Sequence, residues 1–237
     1  AAGGELSTEI SVLQNHKIHP YWSDCINIGA AIDLTRSEVQ EHVMILKRAL
    51  NFRYVRFWSP FSKDMLIDID SSDHHYNFSR LDTVLDFLTG LDVKPFIELS
   101  EKPVMLLKST EKSLLHGLYE EISSLNNWKE MLTAFMRHVA GRYGAQEVGD
   151  WKLELWFDMA RIFSQSDLAY YLEKFRITKE VIHQNAKAET GGSGVYCLAD
   201  SSGRNYMQDF YHALVKNQVS MDFLSVYCYA YDPVLSD

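Results

Sequence analysis

The chain has 237 residues, of which 46% are hydrophobic and 13% aromatic, a composition that supports a large folded core and excludes a disordered tail. Its formal net charge of −9, with no basic run, argues against contact between this segment and nucleic acid phosphates. No stretch approaches the roughly 18–20 apolar residues of a membrane span. Residues 1–7 lack the basic and apolar regions of a signal peptide and the chain does not begin with Met, which reads as an excised or processed start in a cytoplasmic protein.

In chain order, residues 1–20 read as an N-terminal extension and residues 21–237 as one α/β domain. Residues 25–31 form a buried-strand candidate. Thr35-Arg-Ser-Glu38 then reads as a capping box, followed by Val39, Val43, Leu46 and Leu50 at helical spacing, a core-facing stripe. Tyr54-Val-Arg-Phe-Trp58 is a second strand. After a long loop, residues 79–88 form a helix opened by Ser79 and Asp82. Residues 94–99 give a third strand, with a second long loop after it. Trp128, Leu132, Phe135, Met136 and Val139 then share one side of a helix over 127–139. Residues 151–156 are a fourth strand. A helix over 168–183, a strand at 194–198, a helix over 207–215 and a strand at 223–229 complete the pattern.

Six strands alternating with helices of ten or more residues imply a parallel sheet with right-handed crossovers. An open doubly wound sheet and a (β/α)8 TIM-type barrel both fit. The first strand leads into Gly29-Ala-Ala-Ile-Asp33, without a phosphate-binding glycine motif, and the long loops after strands two and three suit the barrel. The expectation is therefore a TIM-barrel-type α/β fold, truncated to about six β/α units. A complete barrel needs two more. The first and sixth strands would then be open edges, to be covered by a second copy in a homo-oligomer.

Cys25, Cys197 and Cys228 lie far apart in sequence inside apolar runs and read as reduced, buried structural thiols. The histidines show no metal-binding spacing, and neither a metal nor a cofactor is expected. Function in such barrels sits at the strand ends: Arg56 and Trp58, Glu98 and Glu101, Glu154, Trp156 and Asp158, and Tyr227 and Tyr229. Arg56 paired with Glu98 or Glu154 inside the barrel would be a purely structural arrangement. Aromatics beside carboxylates would equally stack on sugar rings and bond their hydroxyls.

Five segments, Tyr54-Val-Arg-Phe-Trp58, residues 94–103, Arg142-Tyr-Gly, residues 151–158 and residues 221–229, together resemble glycoside hydrolase family 39, the β-xylosidase and α-iduronidase family. Cys25-Ile-Asn-Ile-Gly29, Val39-Gln-Glu-His-Val43 and Arg80-Leu-Asp-Thr-Val-Leu-Asp-Phe-Leu88 are closest to the family-39-like domain found after the DNA-binding region of some AraC-type transcriptional regulators. The resemblance implies a pocket for a small saccharide such as xylose or a xylo-oligosaccharide, bounded by Arg56, Trp58, Glu98, Trp156, Phe157, Tyr227 and Tyr229. It implies no nucleic acid contact through this segment, DNA being bound by an upstream domain of the parent, and no membrane.

Two departures bear on activity. Where the family carries Trp-Asn-Glu at the end of strand four, with Glu as acid/base, this chain reads Trp156-Phe157-Asp158. Phe157 cannot bond the sugar 2-hydroxyl, and Asp158 withdraws the carboxyl by roughly 1 Å, a displacement that can cost on the order of 100-fold. The family's His-x-Tyr of strand six is Tyr227-Cys-Tyr229 here, and the nucleophile belongs to a seventh strand. The expectation is a sugar-binding sensor without hydrolysis in this chain. The alternatives are a retaining glycosidase whose nucleophile follows residue 237, and a ligand-free structural domain with Trp58 and Trp156 buried in a filled barrel.

Overall fold

The computed structural model describes residues 23–67, 76–99, 125–156, 165–199 and 203–228. Among them six strands, β1 (Cys25–Ala30), β2 (Tyr54–Trp58), β3 (Lys94–Glu98), β4 (Lys152–Glu154), β5 (Glu189–Tyr196) and β6 (Leu224–Tyr227), form one sheet in the order β1-β2-β3-β4-β5-β6. Every neighbouring pair is parallel. A doubly wound sheet reverses its strand order partway. This one never does, and it curls into a half-barrel of the TIM type.

The helices are α1 (Ser37–Leu50), α2 (Ser79–Gly90), α3 (Leu125–Tyr143), the short α4 (Ala145–Gly149), α5 (Gln165–Asn185) and α6 (Tyr206–Lys216). The α3 stripe holds: Trp128, Leu132, Phe135, Met136 and Val139 are all buried. Phe61, from the loop after β2, meets Phe135 edge-on at 5.3 Å and Trp128 at 6.1 Å. The Trp128 indole N–H donates to Thr178 Oγ1 at 2.9 Å, joining α3 to α5. On the other side, His138 bonds Asp82 at 2.7 Å and Arg142 bonds Asp86 at 2.5 Å, joining α3 to α2. The Arg142 hydrogen bond holds the Asp86 carboxyl below its usual range.

Three local expectations need correction. Thr35 makes no capping box: its hydroxyl closes a 3-10 turn (Ala31–Thr35) by donating to Ile32 O at 2.7 Å, and α1 starts after Arg36. A hydroxyl beside its own preceding turn finds that carbonyl first. On α1 only Val43 is fully buried, while Leu46 and Leu50 are 38% and 44% exposed, because β1 is an edge of the described sheet. Strand β5 begins at Glu189, five residues before the predicted position. Its opening Glu189-Thr-Gly-Gly-Ser-Gly194 has the composition of a turn, yet it pairs with β4 through Lys152↔Glu189, Leu153↔Thr190 and Glu154↔Gly191. Asp222 clamps this start, accepting from Thr190 N at 2.9 Å and donating its own N–H to Thr190 O at 3.0 Å. Burial alone would raise the Asp222 pKa, but the hydrogen bonds from Lys179 and Thr190 N and the charges of Lys179 and His183 together outweigh it and lower it.

Candidate saccharide site at the strand ends

Parallel register brings the charged strand-end residues level with one another. Trp58 is opposite Glu98, Glu98 is opposite Glu154, and Glu154 is opposite Gly191. Both glutamates are completely buried. Arg56, two residues below Trp58 on β2, reaches across β3 so that its Nε donates to Glu154 Oε2 at 2.8 Å. Its Nη2 lies 2.6 Å from the same oxygen and 3.1 Å from Glu98 Oε2. One guanidinium therefore serves two buried carboxylates, so losing the cation would take a partner from both. The enclosed Oε1 of Glu154 accepts no hydrogen bond from the described residues.

Aromatic rings complete the setting. The Arg56 guanidinium lies 5.7 Å from the Phe96 ring centroid and 5.6 Å from that of Trp156, within reach of cation–π attraction. Trp156 stacks on Tyr227 at 6.1 Å and 25° between planes, and Tyr227 meets Tyr196 at 5.5 Å. The Trp156 ring also lies on Gly194. A Cβ at that position would stand 2.4 Å from the indole, and Gly194 adopts φ +81°, so the position excludes any side chain twice over. Below it, Tyr171 donates to Leu155 O at 2.8 Å. Burial first, then the Glu154 charge, push the Tyr171 phenol well above its ordinary pKa, so it remains a protonated donor.

The structure thus brings together Arg56, Glu98, Glu154, Trp156 and Tyr227, with Trp58 beside them at the end of β2. Trp58 and Trp156 are each partly covered among the described residues. The ion-pair reading of Arg56 is realised, with the Trp156 ring beside the guanidinium. Glu101, Phe157, Asp158 and Tyr229 lie outside the described residues. The sequence reading missed Tyr196. Its place at the C-terminal end of β5 was a sufficient signal, had the strand been started at the right residue.

The buried-thiol expectation fails. Cys228 is exposed, and Cys25 and Cys197 are only partly covered. Edge strands expose one face, and Cys228 follows the outer-facing Leu224 and Val226 of β6, which are 42% and 49% exposed. Cys25 is nevertheless desolvated enough that burial pushes its thiol up to about 11.

A parallel half-barrel with charged and aromatic residues at its strand ends belongs to the (β/α)-barrel class, whose sites lie at that face. Within that class the family is shown by sequence: the profile of Glycosyl hydrolases family 39 matches residues 10–236, and the chain belongs to that family. Among similar proteins, a β-xylosidase of Caldicellulosiruptor saccharolyticus is 27% identical over 227 residues, covering 93% of this chain and 45% of its own length. A β-xylosidase of Geobacillus stearothermophilus is 24% identical, covering 90% and 43%. The crystal structure of a monomeric β-xylosidase from Caulobacter crescentus CB15 matches the fold with a TM-score of 0.68 at 23% identity, covering 88% of this chain and 42% of that one. The chain spans less than half the length of these relatives.

Proposed function

We propose that the strand-end region binds a xylose-type saccharide as part of a retaining β-xylosidase-type glycosidase, with Asp158 as acid/base and the nucleophile supplied by sequence following this segment. The observation that carries the reading is Arg56 held between the buried Glu98 and Glu154, beneath the stacked Trp156 and Tyr227. A rigid cation and flat ring faces at one mouth suit the hydroxyls and the faces of a pyranose. Membership of family 39, and relatives named as β-xylosidases, support the same substrate class. The test is release of nitrophenol from an aryl β-xyloside by the full-length protein. Release that Asp158→Asn abolishes supports the enzyme; no release overturns it.

A specific observation favours a second reading. Phe157 and Asp158 stand where the family's Asn-Glu belongs, which disables the 2-hydroxyl contact and shortens the acid. On this reading the pocket is kept for binding, in a cytoplasmic sensor domain of an AraC-type regulator that contacts DNA elsewhere. Calorimetric titration with xylose and xylobiose distinguishes the two: heat without turnover supports the sensor, and no heat with either sugar sinks it. On either reading residues 21–237 are a partial (β/α) barrel of that domain. Should β1 and β6 be true edges of the sheet, their pairing between two copies is proposed, and a monomer in sedimentation at micromolar concentration would refute that pairing.

A further inference from the structure

The two cysteines at the ends of β5 and β6 are neighbours. Tyr196 is opposite Tyr227, and the next backbone hydrogen bond, from Cys197 N to Tyr227 O at 3.0 Å, continues the parallel ladder by one step. Carried one residue further, that register sets Cys197 opposite Cys228. Directly paired residues of parallel strands point their side chains to the same face, and the strands lie about 4.8 Å apart. The distance falls within the roughly 4.4–6.8 Å Cα separation that a disulfide spans. The side chains agree, since the Cys197 thiol is near enough to Cys228 to feel its charge.

Both thiols lie on the outer face. Along β6 the exposed Leu224, Val226 and Cys228 alternate with the better covered Ser225 and Tyr227. On β5 the buried Tyr196, which meets Tyr227 on the inner side, is followed by the less covered Cys197. The exposed Cys228 is open to a dissolved oxidant, and Cys197 is placed to resolve the adduct.

We propose that Cys197 and Cys228 are a modification site: a cross-strand dithiol that a small-molecule disulfide converts reversibly to a disulfide. The Cys228 thiolate attacks one sulfur of oxidised glutathione, breaking its S–S bond and releasing one glutathione thiolate. Cys197, on losing its proton, attacks the Cys228 sulfur of the mixed disulfide and releases the second. Two protein thiols are oxidised, one small disulfide is reduced, and the two protons lost by the cysteines end on the departing glutathione thiolates, giving two thiols. The bond would staple β5 to β6 one residue beyond Tyr196 and Tyr227. It would close a loop of roughly 30 residues.

The test exposes the full chain to oxidised glutathione, quenches in acid, alkylates the remaining thiols and maps the products by mass spectrometry. The expected product has lost two hydrogens, with Cys197 linked to Cys228 and Cys25 still alkylated, and excess reduced glutathione reverses it. Cys197→Ser should instead accumulate glutathione on Cys228, and Cys228→Ser should give no intramolecular link. A wild-type chain that stops at a glutathione adduct on Cys228, or that links either residue to Cys25, overturns the proposal.

Discussion

The centre of the sheet and its β6 edge are built from the same alternating pattern but live in different solvents. In β2, β3 and β4, residues on both faces are covered: Val55, Phe57, Ile97 and Leu153 pack against the helices, while Arg56, Glu98 and Glu154 fill the interior. In β6 the outward residues Leu224 and Val226 are about half exposed. The same side-chain chemistry is therefore worth several kcal/mol in one place and almost nothing in the other. Burial, rather than residue type, decides where this fold is fragile.

The contrast can be broken most sharply at Arg56. Arg56→Ala removes the cation shared by two buried carboxylates and should cost about 3–5 kcal/mol, read as a lower midpoint in urea unfolding. Adding Glu98→Gln and Glu154→Gln to that variant should recover part of the loss. Phe135→Ala removes a ring packed between Phe61 and Phe78 and should cost about 3–5 kcal/mol by the same measurement. Gly194→Ala forces a methyl group into the Trp156 ring at positive φ. It should cost about 1–3 kcal/mol and shift tryptophan fluorescence, while an unshifted spectrum would show that the ring does not rest there.

Titration sharpens the comparison through the thiols. Burial raises the folded pKa of Cys25 to about 11, above the roughly 8.5 of a free thiol. The fold thus favours the neutral form: the contribution is fully present below the unfolded value and is lost as pH rises through the folded one. At pH 8, alkylation of Cys25 should run on the order of 100-fold slower than that of an unperturbed thiol, measured by timed quenching and mass spectrometry. The smallest effect belongs to the edge. Val226→Ala should change stability by less than about 0.5 kcal/mol, and a loss above 2 kcal/mol would mean that β6 is covered in solution.

Much of this was legible in the sequence where the pattern was strong and local. The β2 run Tyr54–Trp58 and the α3 stripe stand where periodicity put them, because long apolar stripes have few alternative placements. Strand β5 was half missed, because its glycines make room for neighbours far away in sequence: Phe223 against Gly191, Leu155 and Tyr171 against Gly192, and Trp156 against Gly194. Nothing local to those glycines announces a strand. The pairing of Arg56 with Glu98 and Glu154 was foreseeable as a charge-balance argument. The adjacency of Cys197 and Cys228 was not, since it depends on the β5–β6 register, which the bulge between Ser193 and Val195 shifts by one residue.

The unbroken β1-to-β6 order also sets a timetable. Each strand's partner has already been made when the strand itself appears, so the sheet can grow by accretion at one edge as the ribosome works. The central cation does not have that convenience. Arg56 is 42 residues ahead of Glu98 and 98 ahead of Glu154. At bacterial-to-eukaryotic elongation rates of roughly 5–20 residues per second, Glu154 follows Glu98 by about 3–11 s. Until then Glu154 does not yet exist for Arg56 to meet, so the three-group arrangement is the last part of the central sheet that can be completed.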